Sequence, residues 1–267
     1  MRIVTAKSGR RTVTNIGIIG VGYLGACLAE GLAGAGTFLI LSPRSTSRTA
    51  ELSARFGCTI AANNAEVVQR SDLVFLSTRP GQIAETATGL PWRAGQRVVS
   101  IAAGIRLNTI QAAVAPAIAV RAMPIAASRI RRSPTTFHPN DPEASAILAR
   151  LGPALPFEDE AEFDTASIFG AYYAMMYAFI DEVAGWAEAN GLSSVSARTL
   201  TAHMTEAAAA AVIEGKAVKP RELLNELLTP GGISEEGLKV LEETGALSRW
   251  PDALDASLKR ARAIDAG

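Results

Sequence analysis

The stretch that most constrains this chain is Ile16-Gly17-Ile18-Ile19-Gly20-Val21-Gly22-Tyr23-Leu24-Gly25-Ala26-Cys27-Leu28-Ala29, an apolar run, three glycines spaced G-x-G-x-x-G, and a helix-forming segment. Each glycine has a separate physical task. Gly20 permits a tight turn, Gly22 leaves room for a pyrophosphate to approach the backbone, and Gly25 lets helix and strand pack closely. The first helical residues, Tyr23 and Leu24, lie where a helix N-terminus offers unpaired N–H groups to phosphate oxygens. Because the motif follows a strand, opens a helix and begins a βαβ unit, it reads as a dinucleotide-binding fingerprint rather than a glycine-rich turn that binds nothing.

From Asn15 to about Ala122, short apolar runs alternate with amphipathic stretches, the pattern of βα units on a parallel sheet. Strands are expected at residues 16–19, 37–41, 73–77, 97–101 and 117–121, with a weaker one at 58–60. Each is apolar along its length, as a strand covered on both faces should be. Pro124, Pro134, Pro139, Pro142, Pro153 and Pro156 then discourage long helices. Beyond a boundary near residues 158–162 the chain is alanine-rich and helical in period, with helices expected at 163–190, 194–214, 221–228, 234–243 and 248–264. The expected fold class is therefore α/β, a Rossmann-like doubly wound sheet over residues 15–160, followed by an all-α domain over 161–267. Residues 1–14 are expected to form a flexible arm. The first long helix carries Ile168, Phe169, Tyr172, Tyr173, Met175, Met176, Tyr177, Phe179 and Ile180 around nearly its whole circumference. That is more apolar surface than a helix at the edge of a monomer should show, so a homodimer or a higher oligomer of dimers, joined through the C-terminal helices, is expected.

Composition narrows the partners. Lys+Arg and Asp+Glu number 26 each, which leaves no electrostatic footprint for nucleic acid or an anionic membrane. Cys27 and Cys58 fall in no C-x-x-C pattern and exclude a disulfide scaffold or structural zinc, so a reducing cytoplasm is the expected compartment. Arg2, Lys7, Arg10 and Arg11 are followed by no apolar run of signal-peptide type. The uncharged stretch 165–180 is shorter than the roughly 18 to 20 residues a spanning helix needs, and reads as a buried helix.

The end of the second strand separates the two nicotinamide cofactors, since an acid there holds the ribose 2′-hydroxyl of NAD and would repel the 2′-phosphate of NADP. The sequence reads Leu41-Ser42-Pro43-Arg44-Ser45-Thr46-Ser47-Arg48, without an acid. Ser42, Arg44 and Ser45 can form a phosphate cradle, which favours NADP over NAD; Arg48 reads as part of a solvated loop. Ligands of such sheets lie beyond the carboxyl ends of the strands, here Ser77-Thr78-Arg79-Pro80, Ser100-Ile101-Ala102-Ala103-Gly104 and Met123-Pro124. None of these loops offers a Cys, His, Asp or Glu, so they suit chemistry delivered by the cofactor itself, hydride transfer.

In order along the chain, these segments resemble the pyrroline-5-carboxylate reductase family. The resemblance rests on the Gly20–Gly25 fingerprint, Ser42-Pro43-Arg44 (S-N-R), the segment from Val74 through Pro80 (V-x-L-A-V-K-P) and that from Val99 through Gly104 (V-S-I-A-A-G). It continues through Arg121-Ala122-Met123-Pro124 (R-x-M-P-N), Glu158-Asp159-Glu160 with Asp164, and Thr229-Pro230-Gly231-Gly232-Ile233-Ser234 (S-P-G-G-T-T). The resemblance implies a Rossmann domain, a helical domain that interlocks two subunits, and hydride transfer to the carbon of a cyclic imine. It also implies that the backbone N–H groups at Gly231 and Gly232 face the substrate carboxylate, and that the Ser234 hydroxyl stands beside the imine nitrogen. Tyr172 and Tyr173 fall at the end of the family's S-G-S-G-P-A-Y segment and would line the substrate. Ser234 followed by Glu235 and Glu236 reads equally as a helix N-cap with acids in the first turn.

The chain departs from the family where substrate is read. Ser167-Ile168-Phe169-Gly170-Ala171-Tyr172-Tyr173 replaces S-G-S-G-P-A-Y, Ile125 follows Met-Pro, and Arg129-Ile130-Arg131-Arg132 stands where small apolar residues are usual. A more apolar pocket is expected, or aromatics that only fill a dimer core. His138 and His203 have no partner spacing for a triad or a metal pair, and no metal is expected. Two alternatives stay open: a non-enzymatic NADP-binding relative, and a 3-hydroxyacid-type dehydrogenase, which would need a lysine within 163–190 where there is none.

Overall fold

A computed structural model describes residues 14–34, 36–215 and 218–265. The expected N-terminal arm lies outside the described residues, except that Thr14 already belongs to the first strand.

The N-terminal elements are β1 (Thr14–Ile19), α1 (Tyr23–Leu32), β2 (Thr37–Leu41), α2 (Thr46–Phe56), β3 (Thr59–Ile60), α3 (Asn64–Arg70) and β4 (Leu73–Leu76). There follow α4 (Ile83–Ala87), β5 (Arg97–Ser100), α5 (Leu107–Val114), β6 (Ile118–Met123), β7 (Thr135–His138), α6 (Pro142–Leu148) and β8 (Ala154–Pro156). The strands form one sheet in the order β3-β2-β1-β4-β5-β6-β7-β8. β1 to β6 are parallel, β7 runs antiparallel to β6, and β8 is parallel to β7. The two halves wind outward from β1 and β4, so the loops after these central strands open at a switch point.

All the strands read from the sequence are present. β7 and β8 are additions to that reading, and their composition explains why. Thr135-Thr136-Phe137-His138 is wholly buried although three of its four residues are polar, and β8 is preceded by Pro153 and ends on Pro156, residues an edge strand tolerates.

Alternation along the strands fills a core on each face. Ile16, Ile18, Leu41, Phe75, Val99 and Phe137 pack with Leu28 of α1 and Leu148 of α6, while Ile19, Ile40, Val74, Leu76 and Val98 pack with Val67 of α3 and Ile110 of α5.

The remaining elements are α7 (Glu160–Ser167), α8 (Phe169–Ala189), α9 (Ser194–Glu214), α10 (Pro220–Leu227), α11 (Ile233–Glu243) and α12 (Arg249–Asp265). The single helix expected over 163–190 is two, interrupted at Ile168, where the Ser167 hydroxyl donates to Asp164 O at 2.7 Å. Two compact units result: one runs through Gly170 and takes in the chain from Leu258 onward, the other is Ala171–Ser257. The first unit thus includes α7, beyond the expected division at 160/161, because Phe163 is fully buried and Arg121 of β6 pairs with Glu160 and Asp164. In the second unit only Ala184, Ala187, Ala197 and Thr201 are buried among the described residues.

Candidate functional site

The fingerprint turn has the geometry its spacing requires. Gly20 has φ +94°, and a Cβ there would lie 2.7 Å from Ser77 O. A Cβ on Gly25 would lie 2.5 Å from Gly20 O, so α1 and the turn approach closer than any side chain allows. At Gly22, the N-cap of α1, a Cβ would meet nothing within 4 Å. The open face at Gly22, beside a helix N-terminus, has room for a pyrophosphate.

Around this turn the loops after the parallel strands come together in the first unit. Ser77 and Thr78 are half-buried and Arg79 exposed, and the Thr78 Oγ1 atom is buried without a hydrogen-bond partner among the described residues. Ala102 is buried beside Ser100 and Ala103 half-buried, while Met123 ends β6. Gly104, with φ +73°, leaves only 2.6 Å between an added Cβ and Ala261 O, which presses the loop after β5 against the end of α12. An orphaned hydroxyl and a cleared glycine face both fit a nicotinamide dinucleotide.

The expected phosphate cradle divides. Ser42 is buried and its Oγ accepts from Gly20 N–H at 3.0 Å, so it joins the end of β2 to the fingerprint turn rather than standing free. Arg44 is exposed and has no ion-pair or hydrogen-bond partner among the described residues, and Ser45 is the N-cap of α2 with its hydroxyl uncommitted to the cap.

Two arginines that the motif segments include without assigning them a task support the loops. Buried Arg121 donates to Glu160 at 2.6 Å and Asp164 at 2.8 Å, and its guanidinium lies 4.6 Å from the centroid of the Phe163 ring. Glu160 also accepts from Leu107 N at 2.7 Å, so one carboxylate ties β6 to the start of α5. The motif segments mark Arg121, Glu160 and Asp164, but their pairing some forty positions apart is not encoded in either segment. Arg129 lies 5.4 Å from the Tyr23 ring centroid and 3.2 Å from Cys27 Sγ, joining the turn after β6 to α1.

The expected substrate residues lie in the second unit. Gly231 has φ +71° and Gly232 is the N-cap of α11, so the reading of Ser234 as a cap is corrected: Ser234 is the second helical residue, exposed, with its hydroxyl unbonded among the described residues. Both glycine N–H groups are engaged within this unit. Gly231 N donates to Glu235 Oε2 at 2.7 Å and Gly232 N to Thr229 O at 2.8 Å. The N–H groups of Ile233, Ser234 and Glu235 are the ones left unpaired by the helix. On α8, Tyr172 meets Trp250 edge to face with centroids 6.1 Å apart, and the Tyr173 and Tyr177 hydroxyls share a hydrogen bond of 2.5 Å.

Other polar residues are accounted for. His138 is buried with Nδ1 3.0 Å from Phe157 O, and exposed His203 pairs with Glu206. No cluster of three or more His, Cys, Asp or Glu could hold a metal among the described residues. Both cysteines are free and buried, and burial pushes the Cys58 thiol up to about 11. No described helix is long and apolar enough to cross a membrane.

A doubly wound sheet with this fingerprint, followed by an all-helical unit, defines a two-part nicotinamide-dependent oxidoreductase. Residues 15–104 match the family model "NADP oxidoreductase coenzyme F420-dependent", and residues 160–264 match "Pyrroline-5-carboxylate reductase dimerisation". The chain is 26% identical to the pyrroline-5-carboxylate reductase of Methanosarcina acetivorans, covering 93% of this chain and 97% of that one. It is 28% identical to that of Pseudomonas aeruginosa, covering 92% and 94%. The Streptococcus pyogenes 1-pyrroline-5-carboxylate reductase structure superposes with a TM-score of 0.83 at 25% identity, over 94% of this chain and 98% of that one. A Plasmodium falciparum pyrroline carboxylate reductase with NADP bound shares the fold, with a TM-score of 0.84 at 20% identity over 94% and 98%. Over nearly its whole length the chain is similar to pyrroline-5-carboxylate reductases, and its residues 160–264 match that family's dimerisation domain.

Proposed function

We propose that this chain is an NAD(P)H-dependent oxidoreductase acting on CH–NH bonds, which reduces the C=N bond of a small cyclic imine carboxylate, 1-pyrroline-5-carboxylate to proline. The observation that carries the reading is the freedom of the Ser234 hydroxyl, exposed in the first turn of a helix whose cap position belongs to Gly232. When bound, the dihydronicotinamide supplies a hydride to the imine carbon. The imine nitrogen must then take a proton, and Ser234 is the donor that can hand it on from solvent. The turn at Gly231 and Gly232 and the free N–H groups at the head of α11 hold the substrate carboxylate, and Tyr172 and Tyr173 line the ring.

Gly20, Gly22, Tyr23, Leu24 and Gly25 hold the pyrophosphate, while Ser77, Thr78, Arg79, Ala102, Ala103 and Met123 line the nicotinamide side. NADP is preferred over NAD because Arg44 and Ser45 stand at the head of α2 without an acid beside them; Ser42 helps only by fixing the turn. The reduced, buried cysteines support the cytoplasm as the place of action.

The test is NADPH oxidation by the purified protein with 1-pyrroline-5-carboxylate, a six-membered cyclic imine carboxylate and an acyclic ketimine. Turnover with a cyclic imine is expected. Silence with all three, despite measurable NADPH binding, sinks the reading. Ser234→Ala is expected to lower kcat with cofactor affinity and melting temperature intact, because no cap is lost.

A further inference from the structure

We infer that Ile264, in the last turn of α12, is a positioning residue for the cofactor: it holds the apex of the loop after β5 in place, and with it the wall that receives the nicotinamide. The inference rests on the proposal that Ala102 and Ala103 of this loop line the nicotinamide side.

The loop runs from Ile101 to Arg106 and is fixed at both ends. Ile101 N donates to Leu76 O at 3.1 Å, which joins the start of the loop to the sheet. Leu107 N donates to Glu160 Oε1 at 2.7 Å, so the first turn of α5 takes its acceptor from α7 and not from its own N-cap residue. The apex, Gly104, rests on α12. A Cβ built there would lie 2.6 Å from Ala261 O, 2.9 Å from Ile264 Cβ and 3.1 Å from Ile264 Cγ2. The helix fills the space a side chain would take, so the glycine is needed for this close approach as well as for its φ of +73°. Elsewhere around the apex the packing is open. A cavity of about 50 Å³ is lined by Gly104, Arg121, Asp164, Ala261 and Arg262 among others, and Arg121 Nε is buried without a partner among the described residues. With that gap beside it, the apex is steadied by its contact with Ala261 and Ile264. All these residues belong to the first unit, which takes in the chain from Leu258 onward. A loop held in place before the cofactor arrives spares binding the cost of ordering it, and a small displacement of the wall misaligns the carbon that gives up the hydride.

Ile264→Ala removes the Cγ2 methyl that meets Gly104, and Ile264→Val keeps it. The parent and both variants are titrated with NADPH and with 2′-phospho-ADP-ribose, which has the same phosphates but no nicotinamide. Melting temperatures are recorded alongside. I264A is expected to bind NADPH about fivefold more weakly, the cost of ordering one loosened segment, while its affinity for 2′-phospho-ADP-ribose stays within about twofold of the parent. With 1-pyrroline-5-carboxylate at saturating NADPH, kcat of I264A should fall by about tenfold, and I264V should match the parent in every measurement. Unchanged NADPH affinity in I264A overturns the assignment. Equal weakening of both ligands also overturns it, because that is the result of a loosened unit and not of a displaced nicotinamide wall. A parent that binds both ligands equally well removes the nicotinamide from this loop, and the inference with it. A parent that binds NADPH but reduces no imine ends the proposed reaction alone, and the two affinities still decide the role of Ile264.

Discussion

An alanine at Gly22 and an alanine at Gly25 add the same methyl group and are expected to do different things. At Gly22 the backbone is extended with φ −77°, and the methyl meets nothing, so the melting temperature should match the parent. The methyl nevertheless stands where the pyrophosphate must approach, so NADPH affinity, followed by fluorescence titration, should fall by about tenfold or more. At Gly25 the methyl would lie 2.5 Å from Gly20 O and 3.1 Å from Ser77 Oγ. That overpacking should cost about 1–3 kcal/mol, read as a lowered urea midpoint. Arg44→Ala should leave stability unaltered and remove most of the preference for NADPH over NADH, since charge-assisted bonds to phosphate contribute about 1.5–3 kcal/mol each; equal affinities in the parent would end the cradle assignment. The three glycines were legible from sequence because their constraint is local backbone geometry. Ser42 was not, because its hydroxyl is claimed by a residue 22 positions away.

Elements were legible where hydrophobic period and length agreed. Residues 194–214 are helical as expected, Gly215 ending the run. β7 and β8 escaped because tertiary pairing, not propensity, makes them strands: Thr135 N bonds to Pro153 O, and Phe157 N to Phe137 O. The break between α7 and α8 escaped because neither Gly nor Pro marks it; Ile168 keeps helical angles while the hydrogen-bond ladder shifts. Capping residues carry a testable pH dependence. The Glu66 carboxyl is held below its ordinary range first by Ala62 N–H and then by Arg70. A carboxyl depressed in the folded state stabilises above its unfolded pKa, and that contribution disappears as pH falls through the folded value. The stability of Glu66→Gln should therefore trail the parent at neutral pH, with the gap closing in acid. Urea titrations of both proteins across that range check it; a gap that is constant with pH would remove the charged form from the account.

The whole molecule joins two units of unequal self-sufficiency. The first has a core on both faces of an eight-stranded sheet, with Phe75, Phe137 and Phe163 fully buried. The second buries only Ala184, Ala187, Ala197 and Thr201 among its described residues, and leaves Phe179 at 43%, Trp186 at 69%, Leu200 at 50%, Met204 at 64% and Ile213 at 69% exposure. Side chains of that size on α8 and α9 would bury enough apolar surface to hold a helical unit together, and within one chain they do not. The sequence already pointed there, because an apolar circumference is visible without knowing what covers it; which helix faces which is a long-range matter that no local period encodes. We expect light scattering to give a dimer or a multiple of one, and the melting temperature to rise with protein concentration, as it must when folding and association are linked. Met204→Asp combined with Ile213→Asp places two charges on α9, which should shift the protein to monomer and abolish that concentration dependence. A monomeric parent whose melting temperature ignores concentration would show instead that these faces close within one chain.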